Sequence, residues 1–171
     1  AVASVTHSGR IDTSAPQAGA VTVLAEGGVI KVDGNITANS SGTDSQGQTR
    51  QGGDIIIGRD EKTGALAKAT DVSGAKLESQ GGFVETSGDW LATYGTKVKA
   101  KDWLLDPYNI IISTNGDNNV SNSSNTFTST NTSSNINVSN ITNALNSGTN
   151  VTVQTGSGGA EIGDIQVNAV I

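Results

Sequence analysis

Trp103-Leu104-Leu105-Asp106-Pro107-Tyr108-Asn109-Ile110, continued by Ile111 and Ile112, is a dense apolar stretch in a chain otherwise made of short glycine-led strands and Asn/Ser/Thr turns. Trp103 and Tyr108 are large apolar bodies with polar tips, suited to plugging an irregular place in a core. Pro107 presets a corner, and Asp106 can hydrogen-bond its own backbone there, so a turn is expected at this pair. Leu104, Leu105, Ile110 and Ile112 are expected to fill the interior.

Upstream, Gly-Gly pairs open apolar strands at Gly27-Gly28-Val29-Ile30, Gly52-Gly53-Asp54-Ile55 and Gly81-Gly82-Phe83-Val84. Strands led by a single glycine fall between them: Gly9-Arg-Ile-Asp, Gly34-Asn-Ile-Thr, Gly74-Ala-Lys-Leu and Gly95-Thr-Lys-Val. Asn150-Val-Thr-Val and Asp164-Ile-Gln-Val extend the pattern. Each strand is a few residues long with period-two alternation, bounded by turn residues. A repeat in the twenties with two or three short strands is the signature of a solenoid, here an all-β parallel β-helix of about seven coils, each stacked about 4.8 Å above the last. Ile11, Val29, Ile36, Ile55, Ile57, Leu77, Phe83 and Val98 are expected to stack inward. Glycine recurs because corners need φ > 0 or close backbone approach. An antiparallel sandwich also uses short, evenly spaced strands; of the hairpin turn signals it would need, only Asp33-Gly34 lies well placed.

Composition agrees with a thin, repeated core. Over 171 residues aromatics make up 4%, Met is absent and glycine occurs 22 times, which suits stacked Val, Ile, Leu and Ala better than a thick globular interior. Low hydrophobicity favours disorder, but the punctuated apolar runs argue for order. The formal charge is −6, and all ten Lys and Arg residues precede position 102. No basic run is large enough to neutralise a series of phosphates, so nucleic acid is not an expected partner. No stretch reaches the ~20 apolar residues that span a bilayer. The absence of cysteine excludes disulfides and thiolate metal sites. Ala-Val-Ala-Ser at the start has no leader-like pattern, and the chain is expected to be a mature product or an excised fragment.

Three regions follow. Residues 1–114 are the regular glycine-led coils. In 115–140, twenty of 26 positions are Asn, Ser or Thr, with weak strand signals at Val120, Phe127 and Ile136, so a long excursion or irregular coils are expected. Residues 141–171 hold a short flanking helix and further coils. The helix reads from Ser139 to Gly148, opened by a Ser or Asn cap, with Ile141, Ala144 and Leu145 on one face.

The chemistry-bearing residues are sparse. His7 is the single histidine, without an evident acidic partner, and reads as a strand-edge side chain. Some β-helix enzymes cleave polysaccharides with clustered carboxylates and a basic residue; the candidates for that are Asp54, Arg59, Asp60, Glu61, Glu78 and Glu85, but their spacing defines no catalytic pair. Asp117-Asn-Asn and Gly158-Gly-Ala-Glu-Ile-Gly-Asp164 are rich in oxygen, yet miss the nonapeptide that builds calcium β-rolls. No cofactor, metal or catalytic residue is expected. Asn-x-Ser/Thr triplets make Asn35, Asn39, Asn119, Asn122, Asn131, Asn137, Asn140 and Asn150 candidate glycosylation acceptors, although such composition generates many triplets by chance. Trp90 and Tyr94 are candidate ligand contacts, because sugars stack on exposed aromatic rings; a core role is the alternative, and for Trp90 the stronger one.

Gly81-Gly-Phe-Val-Glu-Thr-Ser-Gly88, followed by Val98-Lys-Ala-Lys-Asp-Trp-Leu-Leu-Asp-Pro-Tyr-Asn-Ile110, resembles a recurring block of two-partner-secretion exoproteins of the filamentous haemagglutinin and high-molecular-weight adhesin type. The segment through Ile141, Ala144, Leu145, Gly148, Val151 and Gly163-Asp-Ile165 is similar to that block's continuation. The specific part is Trp103 to Pro107. The resemblance implies a right-handed parallel β-helix, exported through an outer-membrane secretion partner as an internal piece of a longer Gram-negative virulence protein. It implies a glycoprotein whose Asn-x-Ser/Thr sites are modified by a cytoplasmic N-glycosyltransferase before export. The expected function is non-enzymatic: a secreted or cell-surface adhesin segment that attaches to host-cell glycans or glycoproteins. A β-helix polysaccharide lyase or hydrolase and a passive solenoid spacer are the alternatives.

Overall fold

The computed structural model describes residues 3–116, 120–123, 126–129, 133–156 and 162–171. In chain order the strands are β1 (Ser4–His7), β2 (Arg10–Asp12), β3 (Val21–Val23), β4 (Val29–Val32), β5 (Asn35–Thr37), β6 (Ile55–Ile57), β7 (Ala69–Asp71) and β8 (Lys76–Gly88). There follow β9 (Trp90–Ala92), β10 (Lys97–Pro107), β11 (Asn109–Ser113), β12 (Val120–Ser123), β13 (Thr126–Ser129), β14 (Ser133–Asn137), helix α1 (Val138–Asn146), β15 (Asn150–Val153) and β16 (Ile165–Val167). The protein is all-β apart from α1 among the described residues, and its three larger sheets are built from parallel pairs.

One sheet runs β1-β4-β7-β9, and a second runs β2-β5-β8-β10-β15, with β3 and β6 joining through β8. A third runs β14-β11-β16, while β12 and β13 form an antiparallel pair. Register stacks like on like. Val21 lies beside Ile55, Ile55 beside Val84, Val84 beside Trp103 and Trp103 beside Val151. A second column runs Ile11, Ile36, Leu77 and Val98. A third runs Val23, Ile57, Thr86, Leu105 and Val153. The apolar members of these columns share one hydrophobic core. Each fully buried Ile or Leu in it contributes about 1.5–3 kcal/mol relative to exposure.

The Gly-Gly pairs work as the two glycine arguments require. Gly81 has φ +71°, open to glycine and strained for other residues. A Cβ on Gly82 would collide with the Ser79 hydroxyl and the carbonyl oxygen of Gly52, just before β6. The inward assignment holds for Ile36, Ile55, Ile57, Leu77 and Val98, with Ile11 partly buried against the same core. Val29 and Phe83 face the other way: the residue after each Gly-Gly pair points outward and the next, Ile30 or Val84, is fully buried. Leu104 is likewise only half-buried, because strand alternation lets Trp103 and Leu105 point in and turns the residue between them out.

Asp106 and Pro107 form no turn. They continue β10 and lie beside Ser87 and Gly88; the chain bends one residue later, at Tyr108, whose N–H donates to the Asp89 carbonyl. The weak strand signals of the Asn/Ser/Thr-rich region coincide with β12, β13 and β14. Of these, β14 belongs to a parallel sheet beside β11. It also lies against β9, where the Leu91 N–H donates to Ser134 Oγ at 2.9 Å. β14 therefore lies against β9 while pairing with β11, although β9 and β14 belong to separate sheets.

Helix α1 begins where expected. Asn137 caps it by accepting from the Ser139 N–H at 2.9 Å, and Gly148, at φ +81°, follows its end. Ile141 and Ala144 pack into the core, but Leu145 is 42% exposed, so the buried face is completed by Asn140 instead.

Candidate functional site

The acceptor triplets divide sharply by environment. Asn140 is 3% exposed; its Nδ2 donates to Thr93 Oγ1 at 3.1 Å and its Oδ1 accepts from the Gly95 N–H at 3.2 Å. Asn137 is the helix cap and also donates to the carbonyls of Thr114 and Asn115. Asn39 donates to Glu78 and accepts from the Gln80 N–H. These three amides hold the fold together. Asn35 is exposed on β5, and Asn150 is exposed on β15 with a 3.0 Å bond to Asp102. Asn119 and Asn131 lie outside the described residues, as does the side chain of Asn122.

The two candidate contact aromatics part company. Tyr94 is 61% exposed, whereas Trp90 is 2% exposed and packs with Ala69, Ala92 and Val29 in a small cluster separate from the main core. Trp90 therefore offers no ring face to a ligand; its core role is the one realised. β13 lies close to β7, which shares a sheet with the Trp90 strand β9. Trp103 is buried, and its Nε1 donates to Thr86 Oγ1 at 3.1 Å, which satisfies the polar tip.

The carboxylates do not converge. Glu85 is 3% exposed, paired with Arg59 at 3.2 Å and accepting from Ser87 Oγ at 2.7 Å, which fixes it as a structural ion. Asp60 accepts from the backbone N–H groups of Lys62 and Thr63 in a surface turn, and the Lys62 bond leads in holding its carboxyl below the ordinary range. Asp54 and Glu61 are exposed, and Glu78 bonds Asn39 and approaches Lys99 at 3.8 Å. His7 Nε2 lies 3.5 Å from the Asn35 carbonyl. Among the described residues no three His, Cys, Asp or Glu side chains gather as metal ligands. Asp117 and the stretch 158–161 fall outside the described residues.

One concave feature stands out. β15 pairs with β10 only from Asp102 to Leu105, so the earlier part of β10 faces α1 rather than a strand. A cleft of about 520 Å³ opens there, within the size range of small-molecule sites, ~300–1,000 Å³. Lys76, Lys97, Lys99 and Glu78 border it on one side and Asn143, Asn146 and Ser147 on the other, while Leu77, Val98 and Ala144 nearby are buried in the core. Sequence reasoning missed this cleft, although one signal was present. Lys76 and Lys97 each stand two residues after the single glycine of their repeat, Gly74 or Gly95, and the ladder places them side by side.

These features define the class only broadly, as an all-β chain of stacked parallel strands with one inserted helix. Set against protein-family models, curated proteins and solved structures, the chain matches none of them. Among the described residues no helix is long and apolar enough to cross a membrane.

Proposed function

We propose that this chain is a non-enzymatic adhesive segment of a secreted bacterial surface protein, built as a right-handed parallel β-helix that presents outward side chains and loops to host-cell glycans or glycoproteins. The observation that carries the reading is the in-register stacking of parallel strands from β2 through β15, aliphatic inside and polar outside. Such stacking makes a stiff element whose outer face repeats, and weak contacts on repeated rungs multiply into useful attachment. The Trp103–Pro107 block adds the resemblance to two-partner-secretion adhesins, and with it an outer-membrane secretion partner for the parent protein. In that reading Asn35 and Asn150 are the exposed acceptors for an N-glycosyltransferase, alongside any in the Asn/Ser/Thr-rich region.

The test is binding of the purified 171-residue chain to cultured epithelial cells and an immobilised glycan panel, with a heat-unfolded control. Saturable attachment lost on unfolding supports an adhesive module. Absence of attachment reduces the segment to a spacer. Turnover of an acidic polysaccharide, abolished by Asp54→Ala or Asp60→Ala, would replace the reading with an enzymatic one.

A further inference from the structure

Asn115-Gly116 is the only Asn-Gly pair in the chain, and it sits in a clamp made by two side chains of β14. The Asn115 carbonyl oxygen accepts from Asn135 Nδ2 at 3.2 Å and from Asn137 Nδ2 at 3.0 Å. Asn135 Nδ2 also donates to the Gly116 carbonyl at 2.9 Å, and Asn137 Nδ2 to that of Thr114 at 3.1 Å. The clamping amides are held from behind: Asn135 Oδ1 accepts from Ser113 Oγ at 2.8 Å, and Asn137 Oδ1 from the Ser139 N–H at 2.9 Å. From this arrangement we infer that Asn115 is a site of self-modification, converting to aspartate and isoaspartate through a cyclic imide, with the amides of Asn135 and Asn137 assisting ring closure.

The attacking nitrogen is that of Gly116, which belongs to the same peptide group as the clamped Asn115 oxygen. Removing its proton places negative charge on that oxygen, and two donors already aimed there stabilise the charge. Among the described residues no acceptor takes the Gly116 N–H, and nothing lies within 4 Å of where a Cβ on Gly116 would stand. Asn115 itself is exposed. Hydroxide or water takes the Gly116 proton; the nitrogen bonds to Asn115 Cγ, the Cγ–Nδ2 bond breaks, and Nδ2 leaves as ammonia. Water then opens the ring. Attack at Cγ gives aspartate on the original backbone, and attack at the main-chain carbonyl carbon gives isoaspartate, whose backbone runs through the side chain. Either product adds a negative charge at the base of the Asn/Ser/Thr-rich region. Isoaspartate also lengthens the main chain there and draws the carbonyl out of the clamp.

The experiment ages the purified chain at neutral and mildly alkaline pH, folded and in denaturing urea. Every Asn is followed by site-resolved mass spectrometry, with fragmentation that separates isoaspartate from aspartate. The expected result is conversion at Asn115 ahead of every other Asn, faster at higher pH, and faster in the folded chain than in urea. Asn135→Ala/Asn137→Ser removes both donors while serine keeps the helix cap. It should slow the folded rate about tenfold, the worth of one hydrogen bond to a developing charge, and leave the urea rate unchanged. A thermal melt establishes that this variant folds, and the comparison of folded parent with urea needs no variant. Gly116→Val should suppress conversion in both states. Equal rates folded and in urea, or a double variant that converts as fast as the parent, overturns the assisting role of the clamp. Conversion of Gly116→Val at the parent's rate overturns the cyclic imide. As isoaspartate accumulates, the side-chain amide signals of Asn135 and Asn137 in ¹⁵N spectra should move; signals that stay in place overturn the opening of the clamp.

Discussion

Replacing one of two core threonines by valine should stabilise this protein, and the same change at the other should destabilise it. Thr70 and Thr86 both point into the interior and are fully buried. Thr86 Oγ1 accepts the indole N–H of Trp103 at 3.1 Å, whereas Thr70 Oγ1 has no hydrogen-bond partner among the described residues. Valine has threonine's shape without its hydroxyl. Thr86→Val strands a buried donor, at a cost of about 1–3 kcal/mol; the added methyl returns somewhat less than ~1 kcal/mol. A net loss of roughly 1–2 kcal/mol follows. In Thr70→Val the penalty already exists in the parent, and its removal gains about 1–2 kcal/mol. For a chain of this size each kcal/mol moves the melting temperature by about 2–4 °C. Urea unfolding and calorimetry read both shifts. In a Trp103→Phe background, where no indole N–H remains, Thr86→Val should lose its cost. A Thr86→Val protein as stable as the parent, or a destabilised Thr70→Val protein, would refute the hydrogen-bond argument outright.

Gly58 has φ +97°, and a Cβ there would collide with the Ser87 carbonyl oxygen, so Gly58→Ala should cost several-fold more stability than Gly64→Ala, which faces open space at φ +73° and should cost about 1–2 kcal/mol; paired urea melts give the comparison. Burial first, and then the neighbouring Asp89 carboxylate, raise the Tyr108 phenol above the usual tyrosine range. Its contribution to stability is therefore complete below the unfolded value of about 10 and is lost as pH rises through the higher folded value; alkaline melts of the parent should fall more steeply than those of Tyr108→Phe. Asn140→Ala breaks one buried and one part-buried hydrogen bond and should cost about 1–3 kcal/mol, with amide exchange at Gly95 accelerating first. In the folded chain an N-glycosyltransferase should modify Asn35 and leave Asn140 untouched until denaturant is added, which site-resolved mass spectrometry will show.

The strand repeat and the helix were legible in the residues because glycine pairs and an asparagine cap impose local geometry directly. Parity was harder. Val29-Ile30, Phe83-Val84 and Leu104-Leu105 are adjacent apolar pairs, and apolarity alone does not say which member points inward. Aligning the three Gly-Gly pairs would have resolved two of them, since Asp54 occupies the place of Val29 and Phe83 and is the member that must face water. Asp106-Pro107 misled for a different reason: proline removes an N–H, but at the last residue of β10 that loss interrupts little of the ladder. The cleft was illegible because it depends on α1 occupying the place of a strand beside β10. That is a relation between segments some forty residues apart, which the repeated glycine-to-lysine spacing at Lys76 and Lys97 does not specify.

The late arrival of the strand beside β11 bears on how the chain reaches this state. A simple stack grows like a zipper, each new rung settling on the one just completed. Here β11 pairs with β14 and β16, both of which come later in the chain. Some twenty residues must emerge before β14 arrives, and α1 and β15 close over β10 only after that. The loop closed at this step imposes an entropic toll that local rungs escape, so the sheet β14-β11-β16 should form last, as a separate cooperative phase. A chain delivered from its N-terminus would thus hold paired strands up to β10 before β11 meets its partners.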